Sequence, residues 1–574
     1  MRRLLLAIAL ISTSVCFAQP LLTRFERSNG TQTPTYYEAI DWWQKLDAAS
    51  PKVKMVPMGV TDAGLPLHLI FISNNGDHNL ANIRKSNKRI LFINNGIHPG
   101  EPDGIDACML LAKDIVTNNY KLPDNIVLAI IPIYNIGGAL NRSANYRVDQ
   151  DGPEEFGFRG NSQNLDLNRD FIKCDSRDAR AFAAIFRLLD PDVFVDNHVS
   201  NGADYQHVMT LLASQHDKLG GAMGEFMINE FEPGIFSKMK AKGLDLIPYV
   251  NAFGDTPENG WAAFWDSPRY GTGYAALWNT FSFMPESHML KPYDQRVKAS
   301  YALMQSFISF TSEHSLTIKK LRDEAKLRTR SMTTLPVSWS LDRNVTKDYL
   351  FKGYTAGRKP SDISGLPRLF YDRNAPFEKT IKIMHHYTPK ESINKPSAYI
   401  IPQGWWKVID LLQLNKVNMQ QLKQDTTIEV EVYKIASYKT SPRPYEMHHV
   451  NSEVKTTSLT EKVNFRKGDW LVPLNQEGNR FIMEVLEPQA EDSYFTWNYF
   501  DGILGQKEGY SAYAFEDIAN EYLKNNPALK QQLEQQKTTD STLSKSSRAQ
   551  LDFIFQRSPW FEPAYLRYPV YRIK

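Results

Sequence analysis

The chain contains an apolar run that leads directly into a polar turn: Arg89-Ile90-Leu91-Phe92-Ile93-Asn94-Asn95-Gly96-Ile97-His98-Pro99-Gly100-Glu101. A short apolar run bounded by turn residues predicts a strand that is buried on both faces. Similar runs follow at 125–132, 192–196 and 280–284, and residues 105–116 have the pattern of an amphipathic helix. Buried strands that alternate with helices predict an α/β fold, with a mixed central sheet covered by helices on both faces.

The composition of the 574-residue chain narrows the class of protein. The formal net charge is +3, which gives no electrostatic reason to expect a nucleic-acid partner. Hydrophobic residues make up 42% of the chain, so it is expected to fold, and its length predicts more than one domain. The three cysteines, Cys16, Cys108 and Cys174, are too few for a disulfide scaffold or a cysteine-rich zinc site. The sequence does not decide whether Cys108 and Cys174 pair.

Residues 1–18 have the features of a secretory signal peptide. Two arginines precede a short apolar run at 4–11, and a cleavage position follows Ala18. We therefore expect export to the periplasm or the extracellular space; the alternative is a buried N-terminal helix. Cys16 follows the bulky Val15, which argues against lipidation. No other apolar run reaches the roughly 20 residues of a membrane span, and we expect activity without removal of a long pro-segment.

The character of the sequence changes near residue 320. Residues 19–320 carry the alternating strand and helix patterns and are predicted to form the domain that holds the chemistry. Residues 321–574 are predicted to form a C-terminal accessory domain of α/β or α+β type. Within it, 397–401, 405–414 and 427–433 have the patterns of a strand, a helix and a strand.

Histidine and carboxylate side chains occur at the predicted ends of the buried strands. His98 and Glu101 are three residues apart, so one tight turn can direct both to the same point. His198 ends the run at 193–198, and α/β sheets place ligand-binding groups at the carboxyl ends of their strands. Imidazole nitrogens and carboxylate oxygens suit Zn²⁺, which in catalytic sites takes three protein ligands and a water. The alternative is a polar loop and a strand end without a metal.

The segment 159–171 lies between these residues and carries a second group of candidates. Arg169, beside Asn168, can hold a carboxylate with its planar fork of donors. Arg159 can polarise a carbonyl, and Asp166 can accept the second N–H of a metal-binding histidine and fix its tautomer. The alternative is a surface loop of salt bridges.

Glu286 follows the apolar run at 280–284. A glutamate that lies beside zinc without binding it can take a proton from the attacking water in a hydrolase. The alternative is an exposed glutamate at a strand end. His288 nearby is interpreted as a supporting polar residue and not as a ligand.

These residues together resemble the zinc carboxypeptidases of the carboxypeptidase A type. The resemblance covers about residues 50–310. The chain looks like an exported bacterial member of the family with an extra C-terminal domain. The motifs occur in the order His98-x-x-Glu101, Asp166-x-Asn168-Arg169, His198, Glu286.

The resemblance implies a metal site with one Zn²⁺ per chain. It implies that His98, Glu101 and His198 bind the metal and that Asp166 orients His98. It also implies that Glu286 is the general base.

The resemblance further implies how a substrate is held. The expected partner is a peptide with a free C-terminal carboxylate, which Asn168 and Arg169 bind. Arg159 polarises the scissile carbonyl and stabilises the oxyanion. Tyr270 and Tyr274 are the candidates for the mobile tyrosine of the family.

Three functions fit these residues. The first is a secreted metallocarboxypeptidase. The second is a zinc deacylase or amidase that acts on N-acyl amino acids or cell-wall peptides. The third is a non-catalytic protein that binds peptides or glycans, which the complete set of ligands and base disfavours. The sequence predicts neither the side-chain preference nor the oligomeric state.

Overall fold

A computed structural model describes residues 21–574. The predicted signal peptide and Cys16 lie outside the described residues. The described chain divides into two compact units. The first holds residues up to 393 with 414–416 and 477–481, and the second holds the rest of the chain to 574.

The first unit continues past the boundary predicted near residue 320. The helix Ser315–Ser331 buries Ile318 and Leu321 in the main core of this unit. The long hairpin that follows buries Phe351 and Ile383 in a smaller cluster with Trp261. Both segments therefore belong to the first unit because they complete its cores.

The first unit is built on a nine-stranded mixed sheet. Its strands in chain order are β1 (Val53–Val60), β2 (Pro66–Ser73), β3 (Arg89–Asn94), β4 (Ile126–Ile131), β5 (Val193–Asp196), β6 (His198–Ser200), β7 (Met209–Ala213), β8 (Ile247–Pro248) and β9 (Phe281–His288). They lie in the order β1-β2-β4-β3-β5-β9-β7-β8, and β6 pairs with β9. The four strands β4, β3, β5 and β9 are mutually parallel, whereas β2 and β7 run antiparallel to their neighbours β4 and β9.

Helices cover both faces of this sheet, as predicted. Alternate residues of a buried strand point to opposite faces. Ile93 of β3 packs into the main core with the helix Tyr293–Glu313. Phe92 points the other way and contacts Phe182 of the helix Arg177–Leu189, with ring centroids 5.6 Å apart.

Further elements complete the first unit. Its other α-helices are Arg24–Arg27, Tyr36–Ala49, Leu80–Lys85, Asp103–Val116, Ile136–Leu140, His216–Leu219, Gly221–Phe226, Glu232–Lys240 and Gly271–Leu277. Single 3₁₀ turns lie at Leu167–Arg169 and Pro257–Asn259, and a π-helical turn lies at Met227–Phe231. Its other strands are Arg142–Ser143, Phe156–Gly157, Trp261–Ala262, Thr334–Leu341, Thr346–Pro360, Pro367–Met384 and Tyr387–Asn394.

The C-terminal part of the chain contains an antiparallel six-stranded sheet. Its strands are Ala398–Ile401, Gln420–Gln421, Thr426–Thr440, Asn451–Phe465, Trp470–Pro473 and Tyr571–Ile573. The helices of this part are Trp406–Leu414, Asn479–Leu486, Ala512–Asn525, Pro527–Thr539, Ser541–Lys545 and Ser547–Phe555, with 3₁₀ turns at Gln403–Trp405 and Asp501–Leu504. The strand, helix and strand predicted at 397–433 are confirmed.

Two further properties bear on the sequence predictions. Cys108 and Cys174 are buried free thiols. Between residues 21 and 574, no helix is both long and apolar enough to cross a bilayer.

Candidate active site

Three polar side chains converge where β3, β5 and β6 meet. His98 and Glu101 lie in the turn after β3, and His198 begins β6. Their candidate ligand atoms all lie within 4.8 Å of one another. Nδ1 of His98 is 3.3 Å from one carboxylate oxygen of Glu101, and Nδ1 of His198 is 3.3 Å from the other. All three residues are at least 95% buried.

This donor set fits a zinc ion. Two imidazole nitrogens and one carboxylate form a ligand set of catalytic zinc sites. Nδ1 of His98 is buried and has no hydrogen-bond partner, which is costly unless another ligand satisfies it. The convergence of these atoms therefore forms a candidate metal site.

Asp166 lies against the imidazole ring of His98. Its Oδ1 lies 2.9 Å from Nε2 of His98, on the far side of the ring from Glu101. Oδ1 also accepts the backbone N–H of Asn168 and so caps the turn Leu167–Arg169. Burial acts to raise the pKa of Asp166, but the charges of His98 and Arg159 outweigh it and lower the pKa. An ionised carboxylate at this position favours the tautomer of His98 that carries its proton on Nε2, which leaves the lone pair of Nδ1 available to a metal.

Glu286 is positioned by the sheet beside this cluster. It is the parallel partner of His198 in the pairing of β9 with β6. Burial raises the pKa of Glu286 to about 8, and the negative charge of Glu101 adds to the effect. A divalent cation bound nearby would act in the opposite direction, because positive charge favours the carboxylate form.

Two arginines reach the cluster from the loops around 141–171. Arg159 donates to Oδ2 of Asp166 from Nε and Nη2, at 3.0 and 2.8 Å, and its Nη1 lies 3.5 Å from Oε1 of Glu101. Arg147 donates to the same oxygen of Glu101 at 2.8 Å and to the carbonyl of Val199. The sequence reasoning missed Arg147, because it stands outside every recognised motif and only its position in the fold brings it to Glu101.

The three candidate metal ligands, Glu286 and the two arginines all line a cleft of about 570 Å³. The sequence-predicted residues that line it are His98, Glu101, Arg159, Asn168, Arg169, His198, Tyr270 and Glu286. The guanidinium of Arg169 lies over the ring of Tyr270, 4.7 Å from its centroid. Tyr249, Phe253, Phe264 and Met284 add apolar surface to the walls.

Two predicted residues take other positions. Tyr274 is fully buried, packs against Phe171 and Phe186, and donates its hydroxyl to Asn415 at 2.6 Å. The structure does not bring it to the cleft, because it faces inward from the helix Gly271–Leu277. His288 is buried against Tyr205, with ring centroids 4.1 Å apart, and is not part of the candidate metal site.

Comparisons with known proteins find similarity to carboxypeptidases over part of the chain. Residues 39–191 match the family model described as zinc carboxypeptidase. Carboxypeptidase 2 of Trichophyton equinum is 20% identical over 432 residues, which cover 71% of this chain and 73% of that protein. Carboxypeptidase 2 of Trichophyton rubrum is 21% identical over 436 residues, with the same shares covered. Among solved structures, a metallo-carboxypeptidase from Pseudomonas aeruginosa is 14% identical with a TM-score of 0.36, covering 49% of this chain and 68% of that one.

Proposed function

We propose that this chain, which contains a zinc carboxypeptidase domain, is an exported enzyme that removes the C-terminal residue of peptides. One observation carries the proposal. The cleft brings together three side chains that could hold a metal ion, a further glutamate and an arginine–asparagine pair. Export is supported by the sequence pattern of residues 1–18.

The triad would hold the metal. We assign His98, Glu101 and His198 as the ligands, with one zinc per chain at this centre. When bound, zinc supplies a Lewis acid that lowers the pKa of water and polarises a carbonyl. Asp166 and Arg147 hold two of the ligands in place through the contacts that they make with His98 and Glu101.

Glu286 moves the proton in this proposal. Its carboxylate takes a proton from the attacking water and passes it to the nitrogen of the leaving amine. The strand pairing with His198 keeps the carboxylate beside the ligands without making it one of them.

The remaining polar residues hold the substrate. Arg169 and Asn168 bind the terminal carboxylate, because a guanidinium offers two parallel donors to a carboxylate. Arg159 donates to the scissile carbonyl oxygen and stabilises the charge that develops there. Tyr270 lies against Arg169 and would contact the terminal residue of the peptide.

Substrate chemistry tests this proposal directly. The purified protein is assayed with one peptide in two forms, a free C-terminal carboxylate and a C-terminal amide, and with the matching N-acyl amino acid. We expect release of the terminal residue from the free peptide, loss of activity after chelation, and recovery with zinc. Cleavage of only the N-acyl amino acid would replace the proposal with a deacylase or amidase. No turnover of any substrate by zinc-loaded protein would contradict an enzymatic function.

A further inference from the structure

A second cluster of three histidines lies in the first unit. His216 begins the short helix after β7, and His385 and His386 join the strands Pro367–Met384 and Tyr387–Asn394. One ring nitrogen of each histidine lies within 4.8 Å of the other two. The three ring centroids are 4.7 to 5.3 Å apart.

Two of these rings carry buried nitrogens without a hydrogen-bond partner. They are Nε2 of His216 and Nδ1 of His385. Buried polar atoms are nearly always satisfied, so an unpartnered nitrogen needs an explanation.

A carboxylate orients the third ring. Nδ1 of His386 lies 3.1 Å from Oδ1 of Asp217, and the other oxygen of Asp217 accepts the backbone N–H of Tyr387 at 2.8 Å. The same Oδ1 is 3.5 Å from Nε2 of His216. When Nδ1 of His386 donates its proton in a hydrogen bond to this carboxylate, Nε2 keeps a free lone pair. Metal-binding histidines are usually held by a carboxylate in this way.

Hydrogen bonds connect the segment around His216 to the segment that carries His385 and His386, without any bound ligand. The side chain of Gln215 donates to the carbonyl of His385 at 2.7 Å and accepts the N–H of Asp217 at 2.9 Å. Residues 385 and 386 lie between two strands, outside the regular pleat. Consecutive side chains are therefore not forced to opposite faces, and both histidines reach the same point.

We propose that His216, His385 and His386 form a second zinc site, with Asp217 as its hydrogen-bonding carboxylate. Nitrogen ligands at 2.0–2.1 Å from a tetrahedral zinc are about 3.3 Å apart, so small rotations of the rings would complete the site. Imidazole ligands suit zinc and copper better than calcium or magnesium.

The position of this cluster indicates a structural role. Leu212, Tyr249 and Phe264 line both the active-site cleft and the small cavity beside His216 and His385. A metal bound by these histidines would link the end of the hairpin strand Pro367–Met384 to the residues around His216, next to the wall of the cleft. Its loss is expected to affect thermal stability and KM more than kcat.

Zinc stoichiometry tests the proposal. The purified protein is stripped with a chelator, reloaded with excess zinc and separated from unbound metal by gel filtration before the bound zinc is counted. We expect two bound zinc ions in the wild type and one in each of His98→Ala and His385→Ala. The control His449→Ala, which changes an exposed histidine in the C-terminal sheet region, should keep both. One zinc in the wild type that is lost in His98→Ala and retained in His385→Ala would overturn the proposal.

A second measurement guards against misfolding of His385→Ala. The His98→Ala protein, whose second cluster is untouched, is titrated with Co²⁺ and then with zinc. We expect a tetrahedral cobalt absorbance that zinc displaces, and a zinc-dependent rise in the melting temperature. Both should disappear when His216→Asn is added to His98→Ala. Absence of the cobalt signal and of the zinc effect in His98→Ala would refute the second site, whatever the peptidase assays give.

Discussion

Glu286 lies directly opposite His198, because the parallel pairing of β9 with β6 makes these two residues partners. On its other side, β9 pairs with β7, where Glu286 faces Thr210. A slip of one residue in either pairing would turn Glu286 to the opposite face of the sheet. The proposed general base is thus held in place by two neighbouring strands and not by a loop.

This placement predicts that Glu286 acts in the chemical step and not in metal binding. Glu286→Gln keeps the size of the side chain but cannot accept the proton, so kcat should fall by about 10²–10⁴-fold. Zinc content, measured by mass spectrometry, should stay at the wild-type value. The exposed Glu230→Gln serves as control and should change neither quantity. Equal loss of zinc and of activity in Glu286→Gln would make Glu286 a ligand and contradict the assigned role.

Asp166 is predicted to increase the affinity of the site for zinc. Asp166→Asn removes the charge that holds the Nε2 proton of His98, so zinc should bind about 10–100-fold more weakly. Competition with a chromogenic chelator measures the dissociation constant. The exposed Asp149→Asn, from a nearby loop, should leave it unchanged. An unaltered affinity in Asp166→Asn would mean that the contact at 2.9 Å does not orient the ligand.

The two arginines are predicted to have separable effects. Arg147 donates to the proposed ligand Glu101, so Arg147→Met should weaken zinc binding. Arg159→Met should lower kcat by about 10²–10³-fold at saturating zinc, because it removes a donor to the oxyanion. Each variant is assayed for zinc affinity and for kcat at saturating zinc. If Arg147→Met loses kcat while Arg159→Met does not, the role at the scissile carbonyl belongs to Arg147.

The sequence was sufficient to predict the strands that carry the site. Apolar runs bounded by turns predicted β3, β4 and β5, and the motifs at their ends predicted most of the cleft residues. Arg147 and the histidine cluster were not predicted, because their partners are distant in the chain and only the fold joins them. The resemblance made Tyr270 and Tyr274 equal candidates for the mobile tyrosine, but Tyr274 lies on the buried face of the helix Gly271–Leu277, whereas Tyr270 precedes that helix and lines the cleft.

The sequence patterns also did not predict that the first unit extends to residue 393. The helix Ser315–Ser331 is largely polar, and only a few of its apolar residues enter the core. The strands of the following hairpin are long and mostly exposed, so their alternation does not reveal the surface that they cover. Packing of Phe351 and Ile383 against Trp261, a contact between distant parts of the chain, assigns the hairpin to this unit.

Arg169 is predicted to recognise the terminal carboxylate. Arg169→Met keeps apolar contact with Tyr270 but removes the paired donors, so KM for a free-acid peptide should rise by at least about 10-fold. The preference for the free acid over the amide should shrink by a similar factor. Arg180→Met, on the helix Arg177–Leu189 outside the cleft-lining set, is the control. An unchanged ratio of free-acid to amide cleavage would show that another group binds the carboxylate.

Asp106 is predicted to make the stability of the first unit depend on pH. Burial raises its pKa to about 7, although the hydroxyls of Thr33 and Tyr293 donate to it. In the unfolded chain an aspartate titrates near 3.9. As the pH rises from about 4 to about 7, the unfolded chain releases the proton while the folded protein retains it. Ionisation therefore favours unfolding progressively over this range, and above pH 7 the loss of stability is complete.

Asp106→Asn should remove this dependence, because an amide does not titrate and both hydroxyls can rotate to accept from it. Between about pH 5 and about pH 8, the variant should gain about 3 kcal/mol in free energy of unfolding relative to wild type. Thermal melts of both proteins at the two pH values measure the change. Asp41→Asn, an exposed carboxylate paired with Lys45, controls for a general effect of charge. A relative stability of Asp106→Asn that does not change with pH would mean that Asp106 titrates normally in the folded protein.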